Sequence, residues 1–444
     1  MLENDRIILK IKNAIKNTVF ENKVFLVGGA VRDYVIKESN IKDYDFTVNI
    51  PNGGIKLAQF LQKKLGITNV VIFKKFGTSQ IIIDGYDIEF VETRKEKYNK
   101  NSRKPEVTFG TLEDDVMRRD LTINSLLLNI TTNQILDLTG EALSDIKNKV
   151  IRTTNEPNFI FQQDPLRLMR AIRFSCRFGF LIDDITFKAI CKNTSSLNKI
   201  SKERIQDEFM KILGSKVPVE GLKLLLKTGL IDEFLPELRA CIGVEQNSFH
   251  SKNVFEHICD VIKNSEPTAK HRLAALLHDI AKPKCKSVTK DGKVHFFNHH
   301  IESAKIARKF MTEMKFPNDD IDLIDTAVSN HMIFMDEKSR NKRVVRRWRM
   351  KLGDVKFNFL LDLMKADIKS CIDSRSKWVE EIRNMVIIEK PIVTLPINGN
   401  DIMTIFGIKP SPRVKELKNI VIDWVCENPE ITREQIIDKL KKEL

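Results

Sequence analysis

The sequence predicts an α+β head followed by a long helical body. Three observations predict it. Short runs rich in β-branched residues, separated by turn formers, occupy roughly the first 150 positions. After about residue 155 those runs give way to apolar residues at helical spacing. The 444 residues also exceed what one domain usually holds, so several domains are expected.

Taken in order, residues 5 to 18 carry apolar positions at helical spacing, so the chain opens with a helix. Five strand-like runs follow: "KVFLVG", "DFTVNI", "VVIF", "SQIIID" and "DIEFVE". Turn formers divide them, among them Gly66, Gly77 and Gly85. The stretch "TRKEKYNKNSRKPEVTFGTLEDD" is basic, polar and poor in apolar residues, and reads as a mobile loop. From "DPLRLMRAIRFSCRFGF" onward helix follows helix. The clearest late linker is "IEKPIVTLPINGND", before a small helical tail.

The formal net charge is +14 and the pI about 9.3. Such an excess points to a polyanionic partner, most often nucleic acid. Seven scattered cysteines with no C-x-x-C pair imply a reducing, intracellular setting and no zinc knuckle. The N-terminus has acidic residues and no long apolar core, unlike a signal peptide. No apolar stretch reaches the ~18 residues that span a bilayer. A cytoplasmic protein without a membrane partner is expected.

Within the head, "FLVGGAVRDYVIKESNIKDYDFTVNI" places Asp43 and Asp45 two apart on a strand. Alternation puts both on one face, their Cα atoms roughly 6.6 Å apart. Two carboxylates so placed suit divalent cations such as Mg²⁺. Gly28 and Gly29 follow a strand and precede a helix, where glycines let backbone N–H groups approach a phosphate. Arg32 adds a fork of donors. Glu89, on a later strand, is the candidate third carboxylate.

These motifs, with "RRDLTINSLLL", "DPLRLMRAIRF", "SKERIQDEFMKIL" and "INGNDIMTIFGIKPSPRV", resemble the class II tRNA nucleotidyltransferases and bacterial poly(A) polymerases. The resemblance covers nearly the whole chain, in the family's order. It implies a polymerase-β-like nucleotidyltransferase head with a mixed sheet, an all-α neck, an HD-type body and a tail. The expected boundaries are 1–152, 153–215, 216–380 and 381–444. It implies that Asp43 and Asp45 carry the catalytic metals, and that Gly29, Arg32 and Arg119 hold the nucleotide's phosphates and sugar. For Arg119 the competing role is a salt bridge with neighbouring Asp120. The loop before "RRD" would take part in nucleotide selection, and the tail would help to hold tRNA. The implied reaction builds the 3′ CCA end of tRNA from CTP and ATP. A-adding and CC-adding specialists and poly(A) polymerases share every one of these motifs, and a more distant alternative is a metal-dependent phosphohydrolase.

In the neck, Asp164 followed by Pro165 fits a helix N-cap and first position. Arg167, Arg170 and Arg173 follow at spacing three. Cytosine and adenine each show an amine donor beside a ring-nitrogen acceptor, whereas guanine and uracil present the reverse. An Asp–Arg pair accepts the first two and rejects the others. The resemblance implies that Asp164 and Arg167 form this pair, with Arg170 and Arg173 also at the nucleotide. Gln163 stands where the family often has Glu.

All eight histidines lie between residues 250 and 331. His257, His278, Asp279 and Asp367 form an H…HD…D pattern that resembles an HD phosphohydrolase domain. His299 and His331 resemble the extra ligands of its two-metal branch. Imidazoles with carboxylates suit Mn, Fe, Ni, Co or Zn. Lys282 is placed to meet a substrate phosphate, and the resemblance implies hydrolysis of phosphoesters such as 2′,3′-cyclic phosphates. His250, His271, His295 and His300 are expected in structural or surface roles. The arginine-rich "RNKRVVRRWRMK" offers an RNA-backbone grip or a solvated helix face.

Overall fold

The computed structural model describes residues 5–37, 44–73, 77–97, 106–246, 252–371, 377–388 and 395–443. Two compact units divide the chain, Met1–Glu233 and Phe234–Leu444. No helix among the described residues is long and apolar enough to cross a membrane.

The first unit holds a seven-stranded mixed sheet. Its strands are β1 (Val24–Val27), β2 (Tyr44–Val48), β3 (Val70–Phe73), β4 (Thr78–Ile83), β5 (Tyr86–Glu92), β8 (Leu127–Asn129) and β9 (Ile135–Leu136). The spatial order is β3-β4-β5-β2-β1-β8-β9. β2 and β5 pair parallel and the other neighbours antiparallel. All five strand runs read from the sequence are present.

One face of the sheet is the main core. Helices α1 (Arg6–Ile15) and α3 (Gly53–Leu65) cover it, burying Ile11, Phe46, Leu57, Leu61, Ile88 and Phe90. Asp5 caps α1 by accepting from the amides of Ile7 and Ile8. Gly54 lets α3 approach closely, since a Cβ there would lie 2.6 Å from the Phe90 carbonyl oxygen. The other face carries the polar residues of β2 and β5. At its β1–β8 side it is closed by helix α4 (Leu112–Met117), through Phe25, Val27, Val116 and Leu127.

The stretch read as a mobile loop is more ordered than expected at both ends. Strands β6 (Arg94–Lys97) and β7 (Glu106–Phe109) pair as an antiparallel hairpin. α4 follows, with a Thr111–Asp114 capping box. Residues 98–105 lie outside the described residues. The charged composition hid strands that gain from cross-strand pairing rather than burial.

The helices in the rest of the first unit are α5 (Ala142–Asn148), α6 (Pro157–Gln163), α7 (Leu166–Phe178), α8 (Asp184–Lys192), α9 (Lys202–Leu213) and α10 (Pro218–Thr228). α7 begins at Leu166, one residue later than read from Asp164–Pro165, yet Asp164 Oδ1 still accepts from the Leu166 amide at 3.1 Å. Strand structure does not stop at residue 155. β10 (Val150–Ile151) pairs with β11 (Leu181–Ile182), and the second unit carries the hairpin β12 (Lys286–Val288) and β13 (Val294–Phe296).

The remaining helices of the second unit are α11 (Glu237–Ala240), α12 (Val254–Asn264), α13 (Ala269–Leu277), α14 (Lys282–Cys285), α15 (His299–Glu313), α16 (Asn318–Asn330), α17 (Lys342–Lys369), α18 (Lys377–Ile388), α19 (Gly399–Phe406), α20 (Pro412–Glu427) and α21 (Arg433–Glu443). α17 is interrupted at Gly353, whose φ of 74° is left-handed. The last three helices share a core around Leu417, Val421 and Ile436.

The arginine-rich start of α17 is engaged within this unit. Arg343 and Arg347 pair with Asp423, and Arg346 donates to the carbonyl oxygens of Cys426 and Glu427 at the end of α20. Arg340 donates to Phe334 and Met335 carbonyls and lies over Trp378. These side chains dock one helix on another, a role neither sequence reading foresaw.

Candidate active site and metal centre

β2 and β5 place Asp45 and Glu89 directly opposite each other on one sheet face. Around them lies a pocket of about 240 Å³, also lined by Val27, Thr47, Val91, Arg94, Asp115, Arg118 and Arg119. Burial first, and the Asp45 charge second, push the Glu89 carboxyl up. Hard carboxylate oxygens meeting on one wall fit a hard divalent cation. Asp43 lies outside the described residues.

The glycine turn stands beside this pocket. Gly28 has φ 68° and ψ −129°, which strains any L-residue, and its missing Cβ would lie 3.8 Å from Arg119 Nη1. Gly29 opens helix α2 (Gly29–Ile36). Its own missing Cβ would lie 3.4 Å from Arg32 Nη2. Arg32 is buried, donating to Asp33 and Asn124 and lying over the rings of Phe174 and Phe178. Burial pulls its guanidinium below the usual arginine range. The structure thus groups Gly28, Gly29, Arg32 and Arg119, but only Arg119 of the four lines the pocket.

Arg119 does not pair with Asp120 as the competing reading had it. Its partner is Asp115, which also holds Arg118. Asp115 sits one turn earlier, so the i,i+3 and i,i+4 spacing in "EDDVMRRD" carried that signal. Asp120 instead accepts from Arg170 and Asn124.

The Arg167 amide donates to the Asp164 carbonyl at 3.0 Å, while their side chains turn to other partners. Arg204 Nη2 is 2.9 Å from Asp164 Oδ2. Arg167 donates to the Arg118 carbonyl at 2.8 Å, to Gln163 Oε1 at 3.0 Å and to the Ile160 carbonyl at 3.3 Å. Gln163 therefore orients Arg167 with a neutral acceptor. Arg173 pairs with Glu208 at 2.6 Å and lies 4.0 Å from the Phe174 ring centre.

In the second unit, α12 supplies His257, the end of α13 His278 and Asp279, α15 His299, the end of α16 His331, and α17 Asp367. All six are buried. Their ligand atoms form two groups, His257–His278–Asp367 and Asp279–His299–His331. Asp279 joins them. Its Oδ2 is 3.1 Å from His278 Nε2 and 3.5 Å from His257 Nε2, and its Oδ1 is 3.2 Å from His299 Nε2 and 3.9 Å from His331 Nε2. The Nδ1 atoms of His278, His299 and His331 each lie 2.7–2.8 Å from the carbonyl three residues earlier, turning Nε2 inward.

Burial alone would depress His278, but Asp279 and Asp367 outweigh it and carry its imidazole up to about 10. Burial and the His278 charge push His331 down to about 3. His278 Nε2 and Asp279 Oδ1 lack a hydrogen-bond partner of good geometry despite full burial. The orphaned atoms and the nitrogen–oxygen donor set fit transition-metal ions. Lys282 Nζ is 2.6 Å from Asp279 Oδ2 and 2.8 Å from Gln246 Oε1.

Of the other histidines, His271 contacts Thr268 and Asp362, and His295 stacks on Phe297. His300 is half-buried, and His250 lies outside the described residues.

Three family models match in succession. They are the poly A polymerase head domain over residues 24–152, the "probable RNA and SrmB- binding site of polymerase A" over 179–242, and the HD domain over 247–356. An A-adding tRNA nucleotidyltransferase of Deinococcus radiodurans is 28% identical, over 88% of this chain and 89% of its own. A CCA-adding enzyme of Pediococcus pentosaceus is also 28% identical, over 94% of both. The fold matches the Bacillus stearothermophilus CCA-adding enzyme crystallised with CTP, with TM-score 0.71 and 21% identity, over 98% of this chain and 97% of that one. Head and HD domains both imply dependence on divalent metal. The chain thus carries a poly A polymerase head domain, an RNA-binding segment of polymerase A and an HD domain, in this order.

Proposed function

We propose that this chain is a cytoplasmic, template-independent tRNA nucleotidyltransferase that builds or repairs the 3′ CCA end from CTP and ATP. The observation that carries the reading is the Asp45–Glu89 pair facing a pocket walled by Arg118 and Arg119. The RNA 3′-hydroxyl oxygen bonds to the α-phosphorus of the nucleotide and gives up its proton. The bond from that phosphorus to the bridging oxygen breaks, and pyrophosphate leaves. Asp45 and Glu89, with Asp43, would hold Mg²⁺, which supplies charge neutralisation at the phosphates. Arg119 meets phosphate charge from the pocket wall, and Gly28 supplies the left-handed turn beside it. Asp164 and Arg167 read the base once its edge replaces their present partners. The test offers purified protein tRNAs ending before C, after C and after CC, with each nucleotide separately. Ordered C, C, A addition supports the proposal. Addition of A alone, of CC alone or of long poly(A) would replace it with the corresponding specialist.

The orphaned His278 Nε2 and Asp279 Oδ1 favour a second, independent activity. His257, His278, Asp279 and Asp367 would hold one transition metal, with Asp279, His299 and His331 at a second. Such ions supply a nucleophilic hydroxide for phosphoester hydrolysis. Lys282 offers a cation to the substrate phosphate. The assay is turnover of 2′,3′-cyclic phosphates with Ni²⁺, Mn²⁺ or Co²⁺. No turnover and no bound metal would reduce this domain to a scaffold.

A further inference from the structure

The face of the head sheet that bears Asp45 and Glu89 continues past the pocket. Asp45, Glu89, Gln80 and Val71 form one cross-strand row over β2, β5, β4 and β3. Thr47, Val91, Thr78 and Phe73 form the next. Paired residues project to the same side, so Val71 and Phe73 share the catalytic face. Ile82, two positions beyond Gln80 on β4, joins them. Val71, Phe73 and Ile82 are 50%, 46% and 43% exposed, and β3 is the edge strand.

The same face is treated differently on the two sides of the pocket. Toward β1 and β8 it is closed by α4 packed on Phe25, Val27 and Leu127. Toward β4 and β3 it leaves three large apolar side chains in the open. Pairing and twist explain the strands, but not three apolar residues on the solvent face of β3 and β4, where polar residues belong.

We propose that Val71, Phe73 and Ile82 form a stacking shelf for the nucleotides just behind the reacting 3′ end of the RNA. This rests on the nucleotidyltransferase reading above. The attacking hydroxyl must reach Asp45 and Glu89, so the strand that carries it lies along this face. α4 blocks one direction, and the open shelf is the other. Three strand spacings place Val71 roughly 14 Å from Asp45. A few nucleotides cover that span at roughly 3.4 Å each when stacked. Aromatic and aliphatic surfaces hold bases by their faces without reading their edges. Such a shelf accepts the end of any tRNA and tolerates its changing last base as addition proceeds.

The test uses the full chain and compares wild type with Phe73→Ala and Phe73→Tyr. KM is measured separately for a tRNA ending in CC and for ATP, and direct binding by anisotropy with the same RNA. Phe73→Ala should raise KM and Kd for the RNA roughly 5- to 100-fold and leave KM for ATP unchanged. Phe73→Tyr should behave as wild type. A blunt-ended RNA duplex without a single-stranded 3′ end should bind both variants equally. An unchanged RNA KM and Kd in folded Phe73→Ala overturns the shelf. So does a variant whose only change is a smaller assembly on gel filtration, which would make the face a contact between copies. A wild type that binds RNA through Phe73 yet incorporates no nucleotide would sink the transferase reading and leave the shelf standing.

Discussion

Asp120 is buried with its carboxylate gripped by Arg170, whose Nε and Nη2 lie 2.7 and 2.6 Å from Oδ2. The residue after Arg118 and Arg119 of the pocket wall thereby ties the head to helix α7. Burial works to raise the Asp120 carboxyl, and Arg170 outweighs it, holding the group below the usual carboxylate range.

Asp120→Asn should therefore destabilise the protein by about 3 kcal/mol, because it leaves the Arg170 charge poorly paired. The sign of the pH dependence follows. A depressed carboxyl contributes stability above the unfolded value of about 4 and loses it as pH falls through the folded value. Denaturant unfolding across pH 3 to 7 should show a shallower acid-side fall in the variant. Equal slopes would mean that the pair contributes nothing to acid stability.

Asp45→Asn and Glu89→Gln should each lower kcat for nucleotide addition at least 100-fold. Neither should lower Tm, since each relieves repulsion between facing carboxylates. Single-turnover addition with Mg²⁺, alongside thermal unfolding, checks this. Full activity in either variant would remove that residue from the chemistry.

Arg167→Ala should relax discrimination against UTP and GTP more than it slows CTP and ATP, because a site with matched polar groups rejects mismatched edges by leaving them unpaired. Gln163→Ala frees one of the three acceptors of Arg167 and should produce a weaker form of the same loss. The ratios of kcat/KM over four nucleotides decide the matter. Equal slowing of all four would make Arg167 structural.

Asp279→Asn should remove metal from both histidine groups, whereas His299→Ala should halve the content. Elemental analysis of purified variants gives the answer without any activity assay. Nucleotide addition by the head should persist in both. Retention of both ions in Asp279→Asn would show that its carboxylate does not bridge.

Much of this site was legible because its residues are close in sequence or rare. Eight histidines crowded into one region made the helical cluster visible, and strand alternation put Asp45 on an open face. Other relationships were hidden by distance along the chain. Arg204 meets Asp164 from forty positions away, and Glu208 meets Arg173 from thirty-five. No local spacing encodes such pairs. The β6–β7 hairpin was missed because its residues are charged, and the role of the α17 arginines because their partners lie in α20, some eighty residues on.

The internal use of those arginines changes how the +14 charge can act. Arg343, Arg346 and Arg347 of that run are held against α20, so they act on a polyanion through their long-range field more than by short-range grip. A diffuse field of this kind accelerates encounter more than it strengthens the final complex. Capture of a polyanion would then be fast, salt-sensitive and indifferent to orientation, and how long it stays would be set by short-range contacts. An enzyme that must sample many RNA ends and keep only the unfinished ones gains from that separation of arrival from residence.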